Sequence, residues 1–125
     1  MWIFSIYGFY SVSAFGNKFN VRARDQAHLI ALQKRFPSLM KVGILTTPDA
    51  DYRYRITVAR SVWVKVATEL AGEQDWSNFK NKAGQACKYQ DRDYLDALHD
   101  IWEVMYKLQE GKKKGVQHAH SAMGR

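Results

Sequence analysis

The chain has 125 residues, 46% of them hydrophobic and 14% aromatic, with a formal net charge of +7. That length suits one core and is short for two, and the apolar content excludes a disordered chain. No apolar run approaches the roughly 18 residues of a membrane span, and Met1-Trp2-Ile3-Phe4 lacks the basic start of a secretion signal. The expectation is a cytoplasmic protein with no membrane partner.

Trp2–Ile6 and Phe9–Phe15 read as two strands around Tyr7-Gly8, where glycine suits a tight hairpin. Gly16-Asn17 is a second turn signal, and Lys18–Arg24 follows as a third strand. There Phe19, Val21 and Ala23 fall on one face and Lys18, Asn20, Arg22 and Arg24 on the other. Asp25 is a good N-cap for a helix over Gln26–Phe36, which Pro37 ends. His28, near that cap, reads as a solvent-exposed or cap-region histidine. Lys41–Thr47 reads as a further strand, joined by Pro48-Asp49-Ala50-Asp51 to the run that organises the chain.

That run, Asp51–Ser61, alternates Tyr52, Tyr54, Ile56 and Val58 with Arg53, Arg55, Thr57 and Ala59. Period-two alternation predicts a central strand with one apolar and one basic face, Tyr52 and Tyr54 turning inward. A helix then begins at Ser61 and stops at Gly72, with Val62, Trp63, Val66, Ala67 and Leu70 as its apolar positions. Asp75 caps a short helix over Trp76–Lys82 that Gly84 interrupts. Asp91 or Asp93 opens the strongest helix, running to about Glu110 with Tyr94, Leu98, Ile101, Met105 and Leu108 at spacings of four and three. Such a face must be docked or paired. The four tryptophans, Trp2, Trp63, Trp76 and Trp102, read as core residues with Trp76 the one exposed at a contact surface.

This order predicts an α+β fold: an antiparallel sheet of about four to five strands with helices on one face. Residues 18–72 resemble the β-α-β-β-α core of a ferredoxin-like sandwich, and further C-terminal helices follow. Residues 1–110 are expected to form a single domain and 111–125 a flexible basic tail.

Charge is unevenly spread. Residues 1–60 carry nine Lys or Arg against three Asp or Glu, residues 61–110 carry six against nine, and 111–125 carry four against none. The start of the chain, with Gly8-Phe9-Tyr10-Ser11-Val12 close behind it, resembles a family of small uncharacterised bacterial proteins. In these the pattern reads Met-Trp-(Ile/Leu/Val)-Phe, then Gly-Phe-(Phe/Tyr)-Ser-Val-Val. The likeness continues through Val21-Arg22-Ala23-Arg24, Asp51-Tyr52-Arg53-Tyr54-Arg55-Ile56, Asn78-Phe79-Lys80 and Ile101-Trp102-Glu103-Val104-Met105-Tyr106. This chain departs from the pattern at Ser13, where a second valine is usual, and the tail falls outside it. The resemblance implies one domain and brings no catalytic residue.

No nucleotide, metal or nucleophile motif stands out, so no cofactor is expected. Cys87, the only cysteine, excludes an intrachain disulfide and a cysteine zinc site; it reads as a packing residue, with a nucleophilic role the alternative. His99 and Glu103, four apart beside Asp96 and Asp100, read as a solvated acidic face rather than a metal or acid–base pair. His118-Ala119-His120 is at most a loose metal grip.

The sharper feature is the basic face. If the strands bearing Arg22/Arg24 and Arg53/Arg55 pair, four guanidiniums meet on the side away from the helices. They then have three readings: pairing with the acids Asp96, Asp100 and Glu103, contact with nucleic-acid phosphates, or a protein or small-anion site. The leading expectation is a non-enzymatic domain that contacts nucleic acid through Arg22, Arg24, Arg53 and Arg55, helped by Lys112, Lys113 and Lys114. The alternative is a protein-interaction module, a homodimer or an inhibitor of another protein, acting through the acidic last helix. A small enzyme built on His99 and Glu103 is the third.

Overall fold

The computed structural model describes residues 1–87 and 91–123, with side chains for 1–86 and 91–112. The fold is α+β. Its strands are β1 (Trp2–Ser5), β2 (Gly8–Phe15), β3 (Lys18–Ala23), β4 (Leu45–Thr46) and β5 (Tyr54–Ala59). Its helices are α1 (Gln26–Arg35), α2 (Arg60–Gly72), α3 (Phe79–Cys87) and α4 (Arg92–Met123). Residues 1–87 form one compact unit and 88–125 a second.

In the first unit the sheet order is β1-β2-β3-β5-β4, every neighbouring pair antiparallel. β5 therefore lies between β3 and β4, which run parallel to each other across α1. This is the split β-α-β arrangement of the ferredoxin-like expectation. On the other side of β3, the position a final returning strand would fill in that fold belongs to β2, from the N-terminal hairpins.

The inward side chains follow from strand phase. Tyr10 and Val12 of β2, Val21 and Ala23 of β3, and Ile56 and Val58 of β5 meet Leu29 and Leu32 of α1 and Trp63 and Val66 of α2 in one core. Burying a side chain of this size contributes about 1.5–3 kcal/mol. Asp25 caps α1 as expected, its carboxylate accepting from the Ala27 N–H at 2.9 Å. The β1–β2 turn is held by Ser5, whose Oγ accepts from the N–H groups of Tyr7 and Gly8 and donates to the Gly8 carbonyl at 2.9 Å.

Several expectations change. The strand over 41–47 contracts to Leu45–Thr46, because a 3-10 turn over Pro37–Leu39 and the turn after it occupy the approach. His28 is buried, not exposed: the β1–β2 hairpin lies over it, and its Nδ1 accepts from the Phe9 N–H at 3.2 Å. α3 begins at Phe79, three residues later than expected, where the Asn78 side chain accepts from the Asn81 N–H; Gly84 lies within it. α4 continues through Gly111 to Met123. Of the tryptophans only Trp63 is a core residue; Trp76 is half-buried, and Trp2 and Trp102 are 67% and 52% exposed. The expectations for the side chains of Cys87, Lys113, Lys114, His118 and His120 lie outside the described residues. Among the described residues no helix is long and apolar enough to cross a membrane.

Candidate nucleic-acid interface

The pairing of β3 with β5 decides whether the arginines meet. Their register sets Arg22 directly opposite Arg55. Directly opposed residues share a face, with Cβ atoms roughly 4.5–5.5 Å apart. Because Val21 and Ile56 point into the core, Arg22 and Arg55 point away from α1 and α2. The row extends through the β2 and β1 registers to Ser11 and then Trp2. One row across the sheet thus reads Trp2, Ser11, Arg22, Arg55.

The four arginines are held differently. Arg22 donates from Nη2 to the Ser11 Oγ at 2.7 Å and from Nε to the Ser11 carbonyl at 3.3 Å. Arg24 donates from Nη1 to the Asp51 carboxylate and carbonyl, both at 2.9 Å. The hydrogen bond it donates to the Asp51 carboxylate raises the pKa of Arg24 above its already high ordinary value. Arg55 donates from Nη2 to the Thr47 Oγ1 at 3.2 Å, while its enclosed Nε has no acceptor among the described residues. Arg53 is exposed just before β5. Among the described residues, Arg24 is the only one of the four in an ion pair. Like charges directly opposite each other disfavour a sheet, and among the described residues no carboxylate pairs with Arg22 or Arg55 to offset that cost.

Tyr52 corrects the inward phase expected for it. It precedes β5, so the strand's alternation does not govern it. The guanidinium carbons of Arg22 and Arg24 lie 4.7 and 4.2 Å from its ring centre, and Phe9 is 6.4 Å from it on the same side. Its burial comes from the basic face, and it is absent from the core cluster. Tyr54, within the strand, does pack against the core. Cation–π contact holds the two guanidiniums over one ring without neutralising them.

Aromatic residues continue the face. Phe4 stacks on Phe9 with ring centres 4.6 Å apart, and Trp2 meets Phe9 edge-on at 5.8 Å. These rings, with Ser11 and Tyr52, were missed as site residues. The period-two phase of Phe9, Ser11 and Ser13 against inward Tyr10 and Val12 carries the signal for β2, and the hairpin register extends it to Trp2 and Phe4. Asn20 and Thr57 complete the next row, the Thr57 hydroxyl donating to the Asn20 side-chain Oδ1 at 2.6 Å.

The remaining site expectations are not gathered here. Lys112 is exposed on α4 in the second unit, and His99 and Glu103 are exposed on the same helix, where the His99 ring stacks on Trp102 at 6.2 Å. No protein-family model matches the chain, and no match was found among curated proteins or solved structures.

Proposed function

We propose that the protein is a non-enzymatic binding domain whose basic sheet face contacts single-stranded nucleic acid. Phosphates are taken by Arg22, Arg53 and Arg55, and bases stack on the aromatic end of the face. The observation that carries this reading is the direct opposition of Arg22 and Arg55, neither of them in an ion pair among the described residues. A polyanion supplies the missing counter-charge and gains from releasing its own counterions. The exposed Trp2, at the end of the same row, supplies the sequence-tolerant stacking surface of single-strand binders. Arg24, already held by Asp51, positions Tyr52 rather than contacting phosphate. Lys112, Lys113 and Lys114 add long-range attraction.

The test is a fluorescence-anisotropy titration of labelled single-stranded RNA, single-stranded DNA and duplex DNA with the full chain, at low and near-physiological salt. The reading expects single strands to bind more tightly than duplex, with tryptophan quenching that Trp2→Ala reduces. Absence of binding at low salt would sink it.

A further inference from the structure

The second unit carries a surface that the sheet reading does not use. On α4, Ile101, Met105 and Leu108 recur at spacings of four and three, which places them on one side of a helix. Met105 is 55% and Leu108 49% exposed; Val104, flanking the stripe, is 61% exposed and Ile101 partly so. On the other flank the Trp102 and Tyr106 rings stack at 5.6 Å, both about half exposed. A contiguous apolar patch of this kind on one helix marks an interaction surface.

The charge along the same helix says what covers it. From 92 to 103 it carries Asp93, Asp96, Asp100 and Glu103 against the single Arg92. From 107 to 114 it carries Lys107, Lys112, Lys113 and Lys114 against the single Glu110. A parallel copy would set acid on acid and lysine on lysine. An antiparallel copy sets the acidic segment 93–103 beside 110–120, which carries Lys112, Lys113 and Lys114 against the single Glu110, while the apolar stripes meet between them. A two-fold axis is the symmetry such a self-complementary patch requires.

We infer that a second copy of this chain docks on the α4 stripe of the first in antiparallel orientation, making a homodimer with its two-fold axis between Met105 and Leu108. Heptad logic then sets Met105 against Leu108 of the partner subunit, and the aliphatic stem of Lys112 closes the layer beyond. The charge pattern also argues against a membrane as occupant, since the acidic half would be repelled by an anionic surface.

Sedimentation equilibrium of the full chain tests the association. It predicts a dimer in the micromolar range, and at least about a tenfold rise in dissociation constant for Met105→Lys, which sets two ammonium groups close to the axis. Helical circular dichroism, and thermal melting at concentrations where both chains are monomeric, should stay unchanged, because Met105 is mostly exposed. Val104→Ser is the milder variant expected to weaken the dimer in the same direction. Orientation is read with nitroxide labels on Asp96→Cys in a Cys87→Ser background. At 1.5 Å per residue, antiparallel pairing about the stated axis separates the labels by roughly 30 Å, whereas parallel pairing leaves them within about 20 Å. A chain that stays monomeric at about 100 μM, a Met105→Lys variant that dimerises unchanged, or the short label distance would each overturn the inference. So would a monomer that partitions onto anionic vesicles.

Discussion

Arg22 and Arg55 show what a single strand position can reveal. Their outward phase was readable because alternation has a period of two, and Val21 and Ile56 beside them are unmistakably apolar. Tyr52 was misread because the same alternation was extended two residues past the strand's start, where the chain has already turned. His28 does lie in the cap region of α1, three residues after Asp25, but its burial was missed: the β1–β2 hairpin, about twenty residues away in sequence, lies over it, and no local pattern reports that contact. Gly8 sits at this junction with φ at +149°, and a Cβ there would lie 2.2 Å from the His28 Cγ. Gly8→Ala is therefore expected to destabilise the fold by about 1–3 kcal/mol through overpacking and backbone strain, measured by urea unfolding. Tyr7, in the same turn, donates its hydroxyl to the Glu73 carboxylate at 2.8 Å. Burial first, then the Glu73 hydrogen bond and charge, raise its pKa above the ordinary value of about 10. The folded state thus favours the protonated phenol. The resulting stabilisation is full below pH 10 and is lost as pH rises through the raised value. Unfolding free energy should fall across that alkaline window, and Tyr7→Phe should flatten the fall.

Elements were legible in proportion to how much local chemistry fixes them. α1 has a capping aspartate, a clear stripe and a terminating proline, and it lies within one residue of its expected bounds. Asp25→Ala should cost about 1 kcal/mol by removing the cap, a loss a chemical melt resolves. The start of α2 was fixed equally well, because strand alternation and helical spacing change over at Ala59 and Arg60, whereas β5 begins three residues after the start of the expected run. β4 was not: the run over 41–47 has strand-forming residues, but the turn after Pro37 consumes its first half and only two residues reach β5. α3 starts late because Asn78, rather than Asp75, offers the capping side chain. The apolar stripe of α4 was plain in the sequence. The antiparallel copy inferred for it adds what spacing alone does not contain, the orientation set by the charge halves.

At the scale of the whole molecule, sheet order converts separate patterns into a surface. Each basic strand by itself is an ordinary solvated edge. Their adjacency depends on β5 inserting between β3 and β4, which the β-α-β-β-α order suggested and the registers establish. The aromatic end of the face comes from the N-terminal hairpin, whose pairing with β3 carries Trp2 and Phe9 to the side where the arginines lie. That contribution was hidden because no sequence pattern says which edge a hairpin joins. The proposed binding surface belongs to the first unit and the α4 stripe to the second.

The most direct measurement is the salt dependence of single-stranded RNA affinity for the full chain and for an Arg22→Gln/Arg55→Gln double variant, with circular dichroism confirming that both are folded. If the opposed pair engages phosphates, the variant binds more weakly at every salt concentration. The slope of log affinity against log salt also shrinks by about 1.4, roughly 0.7 for each lost phosphate contact. An unchanged affinity and slope in a folded variant would contradict the account, because the charge of this row would then serve some other partner.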